Sequence, residues 1–254
     1  MDASRDSIPT LVREHIEEMA REGYPPLPLL VASGEYSDFN IACDGKVYKL
    51  HQAIVCPQSR VIKAACSAMQ GAASKTMHIG ETDTFTIRYV IMFLYEREYE
   101  IEPPFVEEQV PSGGTEEDLA VANQRAVKTL LAHIRVDLFA FHHEIEELSD
   151  YSDSRIKQVF DSVPANRLPA FLQKMDSSTA DLPRHWASAC DIGGRIQERA
   201  HDLYMAPGFS RLNVDRRILL ETIKACAERI HFLEHACEVT REMYLRLARE
   251  LGDE

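Results

Sequence analysis

The stretch DFNIACDGKVYKLH, residues 38–51, restricts the fold more than any other part of the chain. Phe39, Ile41 and Cys43 alternate with polar or small residues, and Asp44-Gly45 is a dipeptide suited to a two-residue hairpin turn. Such a turn leaves one register, in which Cys43 faces Lys46, Ile41 faces Tyr48, Phe39 faces Leu50 and Asp38 faces His51. A slip of one residue would send all three apolar side chains to the other face. The hairpin therefore commits the chain to a sheet with one buried side.

Helical patterns surround it. Ile8, Leu11, Val12, Ile16 and Met19 share one helical face in a segment that stops at Gly23 and PPLP. Pro57 breaks the segment after the hairpin, and Ser59 suits the N-cap of a helix with Val61, Ile62, Ala65, Cys66 and Met69 on one side. The run TMHI predicts a third short strand, Thr82 or Asp83 is expected to cap the helix TFTIRYVIMFLYE, and the acidic stretch 103–118 reads as a loop. Val127, Leu131, Ile134, Leu138, Phe141, Ile145 and Leu148 then step by four and three, a narrow core-facing stripe. Shorter helices are expected around Leu168 to Met175 and Ile192 to Tyr204.

From Leu212 to Leu251 there is neither Pro nor Gly. Leu219, Ile223, Cys226, Ile230, Leu233, Cys237, Thr240, Tyr244, Leu247 and Leu251 repeat the same spacing, while the flanking positions hold Leu220, Ala227, Ala236, Met243 and Ala248. That apolar face is too wide for a two-stranded seam, and the expectation is a helix packed in a bundle.

Composition excludes several classes. With 254 residues, 45% hydrophobic and 27% charged, the chain suits a globular protein with a real core. A formal charge of −13 argues against a nucleic-acid partner, since affinity for phosphate comes from Lys and Arg. No apolar run is long enough to cross a bilayer, and the first twenty residues lack the apolar core of a signal peptide. The expectation is an intracellular protein of cytoplasm or nucleus with no membrane partner. Six cysteines without a CxxC pair read as reduced thiols. Nine acids against one base between Glu96 and Asp118 read as a solvated segment.

Three constellations invite a chemical reading. Cys43, His51, Cys56 and Cys66 could be metal ligands, but three of them fall where apolar periodicity already expects burial, and spacings of thirteen and ten match no zinc module. HFLEH, residues 231–235, fits the H-x-x-E-H of inverted zinc peptidases. Counted from Ile230 and Leu233, His231 and His235 point away from the seam, with little chain left to bring a third ligand, so a zinc peptidase is a remote alternative. His142-His143 are helix neighbours about 100° apart and read as a surface pair. No Gly-rich phosphate loop, G-x-S-x-G elbow or nucleophile with its base is present. The reading is of a protein that is not an enzyme, with no cofactor and no metal.

The order of hairpin, broken turn, helix, short strand and helix resembles the BTB (POZ) domain, most closely its fungal members. LLVASGEYSDFNI (29–41), YKLHQAIVCPQSRVIKAAC (48–66), IMFLYEREYE (91–100) and HIRVDLFAFHHEIEEL (133–148) are similar to the segments that mark that family. AHDLYMAP and DRRILLETI look like the helical half that often follows in such chains. The resemblance implies an α+β fold, a small three-stranded sheet capped by helices, followed by an all-helical C-terminal half. It divides the chain into an N-terminal helix with Pro-rich linker (1–28), the BTB-like domain (29–162) and a helical region (163–254). Asp38, His51, Ser59, Tyr95 and Tyr99 take the places of its signature residues, and a bend is implied around His143 to Glu146.

The function so implied is noncatalytic protein-protein interaction, as a scaffold or by self-association, with other proteins and possible copies of itself as partners. Ile8, Leu11, Val12, Ile16 and Met19 would form a dimer helix. Some branches are adaptors for a cullin-type ubiquitin ligase, which is the alternative. The sequence departs from those branches, because MQGAASK (69–75) lacks the hydrophobic-x-Glu they carry. Gln52 also replaces the usual basic residue after the histidine, leaving Asp38 to His51 or to something remote.

Overall fold

A computed structural model describes residues 27–72, 74–101 and 115–252. The expected helix bearing Ile8, Leu11, Val12, Ile16 and Met19 lies outside them. The fold is α+β, and the described residues fall into two compact units: those up to 101 with 128–158, and 115–127 with those from 159 on.

In the first unit, α1 (Leu27–Ser33) leads into the hairpin of β1 (Phe39–Cys43) and β2 (Lys46–Leu50). Asp44 and Gly45 have φ of 47° and 75°, the pair of left-handed residues whose twist matches the flanking strands. The register follows the alternation, with Cys43 opposite Lys46, Ile41 opposite Tyr48 and Phe39 opposite Leu50. The expected third strand is present as β3 (Thr76–Ile79), parallel to β1, so the sheet order is β2-β1-β3. A parallel neighbour requires a crossover, supplied by α2 (Gln52–Val55) and α3 (Arg60–Ala68).

Both caps follow local chemistry. Ser59 Oγ accepts the Ile62 N–H at the start of α3. Asp83, one of the two expected caps, accepts the Thr86 N–H at the start of α4 (Thr84–Glu96). Phe39, Ile41, Ile62, Ile91 and Leu94 are buried in one core with Val136, Phe139, Ile145 and Leu148.

The next helix corrects three expectations. First, α5 (Glu116–His142) begins well before Val127. Thr115 Oγ1 accepts the Asp118 N–H at 3.2 Å and Asp118 Oδ2 accepts the Thr115 N–H at 2.9 Å, a reciprocal capping box. Residues 116–118 of the expected acidic loop 103–118 are therefore helical, and 103–114 lie outside the described residues. Second, burial runs around nearly the whole helix from Thr129 to Ala140, whereas Phe141, a member of the narrow stripe, is 62% exposed. Third, the stripe does not continue as one helix to Leu148. The Ile145 N–H reaches back to Ala140 O at 2.9 Å with Glu144 at φ 50°, a Schellman-type closure before α6 (Glu146–Ser162). The bend lies where the BTB resemblance implied one.

The second unit contains α7 (Leu168–Ser177), α8 (Trp186–Ala189), α9 (Ile192–Glu198), α10 (Ala200–Met205) and α11 (Arg216–Gly252). The single helix expected from Ile192 to Tyr204 is thus two, parted at Arg199, whose Nη1 donates to the carbonyls of Phe160 and Val163, each at 2.6 Å. Phe160 and Phe171 meet edge to face at 5.5 Å, and Trp186, Ile192, Ile196 and Ile218 are buried in the same unit. This unit also takes the start of α5, up to residue 127, and Asn123 Oδ1 accepts from Arg167 at 2.8 Å there. Helix α11 packs its first turns on α9, where Gly193 lies against the backbone of Glu221 and Thr222. Among the described residues the expected bundle is not formed around the rest: from Ala227 to Tyr244 every side chain is exposed except a half-buried Ala236. No helix among the described residues is long and apolar enough to cross a membrane.

Candidate protein-interaction site

His51 follows β2 and is 8% exposed. Its Nε2 lies 2.7 Å from Glu35 O, a group that only accepts, which places the ring proton on Nε2. Nδ1 then accepts the Tyr95 hydroxyl at 2.8 Å, and that hydroxyl accepts the His51 backbone N–H at 3.0 Å. Both ring nitrogens are engaged. Burial pushes the Tyr95 hydroxyl up to about 12, so it remains a donor.

Asp38 does not pair with His51. Its Oδ1 accepts the Gln52 backbone N–H at 2.7 Å, while Gln52 Nε2 donates to Asp38 O at 2.9 Å. Gln52 thus meets Asp38 through both its backbone N–H and its side-chain amide, at the start of α2.

Ser59, besides capping α3, donates to His143 O at 2.6 Å and so ties that helix to the turn between α5 and α6. His143 stacks on Phe139 at 3.8 Å and donates through Nδ1 to Phe139 O, and burial holds its pKa below the ordinary value. His142 turns its own Nδ1 to Leu138 O. The two neighbouring rings are therefore directed to separate carbonyls.

Sequence reasoning missed the partner of Tyr99. Its hydroxyl lies 2.8 Å from His133 Nδ1, both residues are buried, and burial lowers His133 to about 3, so the imidazole is neutral. Tyr99 O accepts from the Tyr151 hydroxyl, which in turn accepts from Arg155 Nη2 at 2.8 Å. The signal for His133 lay in its apolar neighbours, Leu130 and Val136 three residues to either side, in a stretch of α5 buried on nearly all sides.

The four candidate ligands of the opening segment do not converge, although Cys56 and Cys66 meet. The Cys43 thiol donates to Thr82 O at 3.1 Å, and His51 is engaged as described. Cys66 is held against Cys56, with burial pushing its thiol up to about 12, and Cys43 is likewise raised by burial and by Asp44 and Asp83. Such thiols are protonated and weak as nucleophiles at neutral pH. His231, Glu234 and His235 are exposed on α11, and no group of three His, Cys, Asp or Glu side chains suited to a metal occurs among the described residues.

The first unit carries a groove of about 370 Å³. It is lined by Cys56 to Arg60, Lys63, Arg97 and Glu144 to Glu147. Ser59 and His143 hold its floor together, and its rim carries both signs of charge. Arg60 lies 4.0 Å from Glu144 and 3.9 Å from Glu146, and Arg97 pairs with Glu147. These pairs are exposed and worth about 0–1 kcal/mol each, so an incoming charged segment can exchange them at small cost.

Comparison of the chain with models of known protein families and with curated proteins finds no match.

Proposed function

We propose that the chain is a noncatalytic protein-protein interaction module of the BTB type, acting as a scaffold whose first unit docks partner proteins at the groove between residues 56–63 and 144–147. One observation carries this reading: the side chains that look chemical are engaged in joining backbone segments. His51 and Tyr95 hold the Glu35 carbonyl to the end of the hairpin, Asp38 closes α2, and Ser59 bridges to His143. With those groups so engaged, recognition falls to the surface, and the groove offers exchangeable charges on a rigid floor.

The test is affinity purification of the intact chain from its own cells, followed by mass spectrometry, beside an Arg60→Glu/Lys63→Glu variant. Both residues are at the groove and Arg60 is exposed, so the variant is expected to melt at the same temperature. Partners recovered with the wild type and absent from the variant are the expected result. An identical partner list from both, or none from either, would overturn the reading. Recovery of a cullin would place the chain among ligase adaptors.

A further inference from the structure

We propose that α11 is the seam through which this chain assembles with a second copy of itself, helix beside helix, parallel and in register. The proposal rests on α11 alone and is independent of the groove on the first unit.

Leu219, Ile223, Ile230 and Leu233 are 49%, 55%, 57% and 46% exposed. An isolated helix gains little from propensity in water, and most helical stability comes from packing an apolar face. The face from Leu219 to Tyr244 has that form and no cover among the described residues.

Its heptads specify the occupant. Ile223, Ile230, Cys237 and Tyr244 fall at one core position (a), and Leu219, Cys226, Leu233 and Thr240 at the other (d). β-Branched Ile at a with Leu at d is the combination that favours two parallel strands. In that arrangement the residue at g of one helix meets e of its neighbour five positions on. Arg229 then faces Glu234 of the second copy, and symmetry makes the attraction twice. The other flanking pairs, Thr222 with Ala227, Ala236 with Arg241 and Met243 with Ala248, contain no like charges. The guanidinium of Arg229 rests over the Phe232 ring at 5.5 Å in the single chain, an exposed contact it would leave in reaching across. The apolar flanks that suggest a bundle in the sequence add area beside this seam and no repulsion. Antiparallel pairing matches a with d, so it never sets Cys237 opposite its own copy, whereas the parallel register does.

Light scattering of the full chain is expected to give a mass at least twice 28.8 kDa at micromolar concentration. Leu233→Glu, an exposed position in the single chain, is expected to give 28.8 kDa with an unchanged circular dichroism spectrum. Arg229→Glu and Glu234→Arg are each expected to weaken assembly about tenfold, and the double variant to restore it. For orientation, a Cys226→Ser chain is treated with diamide, which takes the two thiol hydrogens and is reduced to its hydrazine as the sulfurs join. A product of doubled mass on non-reducing gels, lost when Cys237→Ser is added, is expected. A monomeric wild type, an assembly that survives Leu233→Glu, or a dimer that yields no Cys237 cross-link would each overturn the proposal.

Discussion

His133 shows what a buried polar side chain does in this molecule. Its pKa of about 3 in the fold lies below the ordinary 6.5, so unfolded chains take up protons that folded chains refuse. Stability is therefore expected to fall as pH drops from about 6.5 toward 3. Between pH 7 and pH 5 this one group accounts for about 2 kcal/mol. Urea unfolding at the two pH values should show that loss in the wild type and lack it in His133→Gln, whereas parallel curves would refute the assignment. Ser59→Ala removes a helix cap and strips the His143 carbonyl of its donor, and is expected to cost about 1–2 kcal/mol in the same assay. Residue identity made the cap legible. The bond to His143 was not, because it joins positions 84 apart, and no local pattern encodes such a meeting. Asp38 marks the same limit: hairpin register set it opposite His51, but His51 turned to Tyr95 and Glu35, and Asp38 took the nearer Gln52 N–H.

Elements were legible where one local signal dominated. The hairpin followed from a period of two and a turn that needs positive φ at both residues, and α4 ran over the residues its caps and apolar content imply. The start of α5 was hidden by composition, since an acidic run reads as loop until Thr115 and Asp118 are seen to cap each other. Its stripe misled for another reason: a helix buried on nearly all sides has no single face to count. In the second unit, α9 and α11 meet through Gly193, where a Cβ would run into the Glu221 carbonyl. Gly193→Ala is expected to cost about 1–3 kcal/mol by overpacking, read as a lowered melting temperature. An unchanged melting point would mean that the helices approach less closely than described.

At the scale of the whole molecule, the chain does not divide at one point in its sequence. Helix α5 serves the second unit up to residue 127 and the first unit from residue 128. Periodicity reported that α11 has an apolar face; it could not report that no described residue covers it, since coverage depends on the path of every other element. The α+β class and the three-stranded sheet were legible, and the groove was not, because its two walls are about eighty residues apart. The central claim is that binding belongs to the surface of the first unit, with the interior polar groups serving architecture. Amide hydrogen exchange of the intact chain, alone and with a partner captured by it, tests this most directly. New protection confined to residues 56–63 and 144–147 is the predicted result, and protection that leaves both segments untouched would contradict it.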